Sequence, residues 1–153
     1  MGLDVTAYTQ VQLVPRGKRE NAAFVVDEEA ISRRPLTSVG LTPGVYKSTG
    51  PEFELRVGHL MSYMWWREQL AQLGGYRQQD VLAGDVASGP FVELISFADL
   101  QGVIGNTAAR KLADDFERYD AQAQALGSSF YGLYLQFKRA FDFAKDAGVV
   151  SIH

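Results

Sequence analysis

No cysteine occurs among the 153 residues. That excludes disulfide staples, thiolate metal ligands and a cysteine nucleophile together, and it suits a reducing compartment, so a cytoplasmic location is expected. Histidine is nearly as scarce. His59 and His153 are the two in the chain and lie far apart, whereas a zinc site needs three or four ligands with local spacing, so no metal centre is expected. Long apolar runs are missing too: nothing approaches the roughly 18 residues of a membrane span, and MGLDVTAYTQ carries an early acid where a signal peptide has its apolar core. Walker loops, nucleophile elbows and dinucleotide glycine fingerprints are absent, and no cofactor is implied. Basic charge is short: fifteen Lys and Arg against eighteen Asp and Glu give a formal charge of -3 and a pI near 5.3, the wrong sign for attraction to nucleic acid. The local exception is Arg16, Lys18 and Arg19. They could grip phosphate, but around Pro15 and Gly17 they read better as a solvated turn.

What is present is an ordinary globular composition, 46% hydrophobic and 22% charged, of a length that matches one domain over 1–153. Leu3, Val5, Ala7, Thr9, Val11 and Leu13 alternate with polar residues, the period of a half-buried strand. Ala22 to Val26 is expected to return as its hairpin partner, with Asp27, Glu28 and Glu29 ending it in solvent. Shorter strands are expected at Val45 to Lys47 and Phe53 to Val57. From His59 the period becomes helical: Tyr63, Trp66, Leu70 and Leu73 share a stripe that stops at Gly74-Gly75. Residues 75–90 read as the longest irregular connection, and PFVELI at 90–95 fits strand and helix equally.

The last third predicts a helical hairpin near 107–147. Its first stripe is Leu112, Phe116, Tyr119, Ala123 and Leu126, with Asn106 or Thr107 as cap. Its second is Phe130, Tyr134, Phe137, Phe141 and Ala144, and a strand at Val149 to Ile152 closes the chain. The fold class is therefore α+β: a small antiparallel sheet from the N-terminal half packed against a helix near 60–73 and that hairpin. Lys111–Asp115 and Arg110–Asp114 have ion-pair spacing, as does Asp114–Arg118 in the better orientation, and all three read as surface stabilisers.

Two segments carry candidate site residues. Tyr63, Trp65, Trp66 and Arg67 combine aromatic surface with a planar donor, suited to stacking on a ring or holding an anion. Adjacent tryptophans on a helix face different ways, so one belongs to the core and the other to a pocket or interface. The second segment runs from Phe97 through Asp99, Gln101, Gly102 and Gly105 to Asn106 and Thr107. A glycine-containing loop entering a helix can present backbone N–H groups to phosphate or carboxylate, although a tight turn with a helix cap explains the same residues.

Gly58, Tyr63, Trp66 and Arg67, then Phe97, Asp99, Gly102, Ile104 and Gly105, then Lys111, Leu112, Ala113, Asp115 and Phe116, and finally Gly148, Val150 and His153 form an ordered pattern over 58–153. In this the chain resembles a family of small uncharacterised bacterial, phage and prophage proteins. The resemblance implies a phage or prophage setting and no activity. Two positions depart from the family pattern: His59-Leu60-Met61 stands where the family has a small polar and aromatic stretch, and Gln101 where it has an acid. Glutamine cannot act as a general acid or base.

The function expected from these residues is a non-catalytic accessory protein. It would bind a small anionic or aromatic, nucleotide-like ligand, or a protein partner, through Tyr63, Trp66, Arg67, Asp99, Gln101, Gly102, Gly105 and Asn106. The alternative is a small hydrolase or transferase for a nucleotide-like or sugar-phosphate ligand, with Asp99 as general base and Arg67 steadying the anion. A third reading is structural, a homodimer in which Trp65 and the stripe Phe130, Tyr134, Phe137 and Phe141 meet another subunit, although the stripe itself is expected to be mostly core.

Overall fold

The computed structural model describes residues 2–15, 22–97 and 101–153. The alternating N-terminal run forms two strands rather than one, β1 (Gly2–Tyr8) and β2 (Val11–Leu13). The chain bends between them at Gln10, whose φ of 53° lies in the left-handed region. The alternation continues through the bend, so periodicity alone does not reveal it. Next come β3 (Phe24–Val26), α1 (Glu28–Arg33), β4 (Gly44–Ser48) and β5 (Glu52–His59). The helix α1 occupies acids that the sequence places in a solvated strand end. Asp27 caps it, its side chain accepting from Ala30 N at 2.6 Å, while Glu28 and Glu29 sit favourably in the first turn.

The expected hairpin between the first strand and residues 22–26 does not form, because β3 pairs with β4. The reason is aromatic packing: the Phe24 ring stacks on Tyr46 of β4 with centroids 5.1 Å apart, and Tyr8 covers Phe24 from the side at 5.4 Å. Arg16, Lys18 and Arg19 lie outside the described residues.

Then follow α2 (Leu60–Gly74), α3 (Gln78–Leu82), α4 (Val92–Ser96), β6 (Gly102–Ile104), α5 (Asn106–Arg118), α6 (Asp120–Ala125), α7 (Ser128–Ala144) and β7 (Val149–Ile152). The 75–90 connection contains a short helix, and PFVELI resolves to helix. The predicted cap at Asn106 or Thr107 falls instead to Gly105, and the stripe that begins at Leu112 is broken at Tyr119.

The architecture is α+β with antiparallel pairing. One sheet has the order β5-β1-β7-β6 and the other β2-β4-β3. The larger sheet is not confined to the N-terminal half, since β7 lies in its middle and β6 at its edge. Gly148 makes that insertion feasible: a Cβ there would collide with the Tyr8 carbonyl. Leu3, Val5, Ala7, Leu55, Ile104, Val150 and Ile152 on the inner face of the sheet belong to one buried cluster with Phe130, Tyr134, Phe137 and Phe141 of α7. Those four rings are at most 2% exposed. The stripe is therefore internal core and has no surface to offer another subunit.

Candidate ligand-binding groove

Helix α2 positions the aromatic candidates. His59 accepts from Met61 N through Nδ1 at 3.2 Å to start the helix, and Gly75 stops it at φ 96°, with its N–H donating to Gln72 O and Tyr76 N to Ala71 O. Tyr63, Trp66, Arg67, Leu70 and Ala71 are on the buried face. Trp66 is 3% exposed, its ring 5.1 Å from Phe137 and 5.7 Å from Phe130, and its indole N–H donates to Phe130 O at 3.1 Å. Tyr63 stacks on Trp66 and Phe137 at 6.0 Å. These pairs tie α2 to α7.

Arg67 is 4% exposed. Its Nη2 donates to the Ile95 carbonyl at the end of α4, and its guanidinium lies 5.5 Å from the Tyr63 ring centre. Burial pushes its pKa down, against the pull of Tyr63, and burial raises the Tyr63 hydroxyl to about 12, against the pull of Arg67. The Tyr63 hydroxyl and Arg67 Nε are buried without a hydrogen-bond partner among the described residues. Arg67 thus joins helix to helix, and the anion-holding role expected of it has no solvent-facing guanidinium to carry it.

The opposite face of α2 is unlike this. Met61, Met64 and Trp65 are 66%, 44% and 63% exposed, and Met61 and Trp65 border a groove of about 560 Å³. Its walls are Val57 and Arg56 of β5, Met61, Ser62 and Trp65 of α2, and Ser129, Leu133 and Gln136 of α7, with the edges of Tyr63 and Trp66 at the base. Of the site residues expected from the sequence, Tyr63 and Trp66 reach this groove, and Arg67 and Gln101 are not among its lining. The tryptophans divide as expected: Trp66 is core and Trp65 lines the groove.

The 97–107 segment lies elsewhere. Asp99, the expected general base of the enzyme reading, is outside the described residues. Gln101 is exposed, and its carbonyl accepts from Arg34 Nη2 at 2.8 Å. Gly102 leaves room for Arg34, which lies 4.7 Å over the Phe97 ring. Gly105 is closed in: its N–H donates to Thr37 O at 2.7 Å, and a Cβ would meet Leu41 at 2.9 Å. Asn106 does not cap its helix. Its Nδ2 donates to the carbonyls of Ala144, Lys145 and Gly148, holding the end of α7 against the start of α5. These glycines and the asparagine act as close-packing and bracing residues in the described structure.

A polar cluster that the sequence does not announce lies beneath residues 89–93. Lys111 Nζ contacts Asp115 at 2.6 Å, Glu93 at 2.7 Å and the Gly89 carbonyl, and Asp115 also accepts from Phe91 N at 3.0 Å. Phe91 has a φ of 65° and is fully buried; the carboxylate fixes this unusual turn by holding the residue that starts α4. The Tyr76 hydroxyl is buried nearby, its pKa raised by burial first and then by Asp115 and Glu93. The Lys111–Asp115 spacing is legible, but the pair is not on the surface as expected: the Asp115 side chain is 9% exposed. Glu93 comes from a distant helix, and no local spacing points to it.

No family model matches the chain, and searches of curated proteins and of solved structures return no match either. The class defined by the described residues is thus an α+β protein with a surface groove at one edge of its larger sheet. Among those residues no helix is long and apolar enough to cross a membrane.

Proposed function

We propose that the protein is a non-catalytic binding module that takes a flat aromatic ligand, nucleotide-like in shape, in the groove between β5, α2 and α7. The observation that carries this reading is Trp65, left 63% exposed beside Met61 and above a groove of about 560 Å³. A large indole so exposed costs hydration free energy unless a ligand or partner covers it. Ligand sites are commonly concave and apolar with a few polar groups that orient the ligand, and Ser62, Ser129, Gln136 and Arg56 are the polar residues lining this groove. Arg56 already bonds Asp4 at 3.1 Å, so ring stacking on Trp65 is the main attraction and anion recognition a secondary one.

The test is a fluorescence titration with nucleosides, nucleotides and aromatic carboxylates. Trp65 is the solvent-facing fluorophore and Trp66 the buried one, so binding in the groove quenches or shifts the exposed component. A Trp65→Ala variant with an unchanged circular dichroism spectrum is expected to lose the response. The reading fails if no compound of these classes alters emission or melting temperature, or if the variant binds as well as the parent.

A further inference from the structure

We propose that the free edge of β5 pairs with the same edge of a second copy of this chain, joining the two larger sheets into one antiparallel sheet across a two-fold axis. β5 is an edge strand, bonded to β1 alone. Along β4, which leads into it, β3 occupies the corresponding edge. Among the described residues no strand continues that pairing along β5.

The direction of the unpaired groups follows from the neighbouring ladder. Asp4 N donates to His153 O and Asp4 O accepts from His153 N, both at 2.9 Å, so the Asp4 backbone points towards β7. Arg56 is its direct partner on β5 and therefore belongs to a non-hydrogen-bonded pair, which turns the Arg56 N–H and C=O away from β1. Two residues back the same holds for Glu54, and then for Glu52. No backbone bond of these three is found outside the sheet ladders among the described residues. Three donors and three acceptors thus face outward at strand spacing, as far as the irregularity at Val57 that shifts the β1–β5 register.

The side chains select the occupant. Charged edge strands usually resist pairing, but here the signs alternate. With Leu55 on the two-fold axis, Glu54 faces the partner's Arg56, Arg56 faces the partner's Glu54, and both pairs fall where the outward backbone groups meet. An axis through Arg56 sets like charges against each other, an axis through Glu54 does so at its centre beside two Glu52–Arg56 pairs, and an axis through Phe53 opposes Glu52 to Glu54. The Leu55 axis alone of these gives opposite pairs without a like one. One register of self-pairing is therefore favoured by charge. Arg56 uses Nε for Asp4, which leaves its terminal nitrogens for the partner, and its side chain is 77% exposed.

Sedimentation equilibrium of the full chain tests this independently of the groove, because Glu54→Arg leaves Trp65 and the Arg56–Asp4 pair in place. The parent is expected to dimerise reversibly with a Kd below about 1 mM, as small interfaces do. Glu54→Arg and Arg56→Glu are each expected to weaken the dimer by about tenfold or more. Mixing the two variants restores association, because every facing pair across the axis then joins one base to one acid. A parent that stays monomeric at about 1 mM overturns the proposal, as does a dimer indifferent to Glu54→Arg, or a failure of the two folded variants to associate. Should Arg56→Glu unfold, the Glu54→Arg result alone decides.

Discussion

The two faces of α2 put adjacent, chemically similar residues to opposite uses. Trp66 is enclosed by Tyr63, Phe130 and Phe137 and donates to a carbonyl of α7, whereas Trp65, one residue earlier, has 63% of its surface in water on the face that carries two exposed methionines. A helix turns about 100° per residue, and the turn from Trp65 to Trp66 crosses the boundary between the exposed and buried faces. The same aromatic cluster that reads in sequence as one site is divided by helical geometry into a joint between helices and a solvent-facing surface.

Substitutions can break this contrast. The largest effect is expected from Trp66→Ala, which empties a stacked core position and should cost about 3–5 kcal/mol in a urea unfolding experiment. Equal tolerance of Trp66→Ala and Trp65→Ala would contradict the division of the two faces. Next is Asp115→Ala. Removing this carboxylate leaves Phe91 N without an acceptor in the interior and Lys111 with one acid fewer, at a cost of about 2–3 kcal/mol. Glu29→Ala, which breaks the exposed Glu29–Arg33 pair, serves as control and should cost less than about 0.5 kcal/mol.

Tyr63→Phe is smaller and of opposite sign. Its hydroxyl is buried without a partner among the described residues, so its removal should stabilise the protein by about 1 kcal/mol at neutral pH. The folded state raises this hydroxyl to about 12 from an ordinary value of 10.0, and so holds a proton that the unfolded chain releases. Stability from this source is complete below about pH 10 and falls as pH rises towards about 12. Denaturant melts across that range should show a shallower alkaline loss for Tyr63→Phe. A residual loss is expected, because burial also raises Tyr76 and Tyr134. The smallest change in stability, within about 0.5 kcal/mol, belongs to Trp65→Ala. Its emission should nevertheless shift to the blue, since the indole that remains is the buried one.

Much of the fold is legible in the sequence. The stripe 63, 66, 70 and 73 places α2, and the Phe130–Phe141 stripe places α7, because burial of one helical face is written in the spacing of apolar residues. The groove is harder to read. Its walls come from the consecutive β5 and α2 and from α7, which is remote from both in sequence, and Met61, Leu133 and Gln136 carry no chemical signature. Asn106 has the sequence context of a cap and Arg67 that of an anion clamp; carbonyls of α7 and α4 take up their donors instead.

Local periodicity, turn residues and composition by themselves determined the helices of the last third, most of the strands and the α+β class, since each depends on interactions within a few residues. Tertiary structure alone decided that β3 pairs with β4, that β7 enters beside β1, and that Asp115 lies inside with Lys111 held against it. These outcomes depend on which distant surfaces meet, and on the cost of leaving a buried polar group without a partner. One chain position at a time carries no record of either.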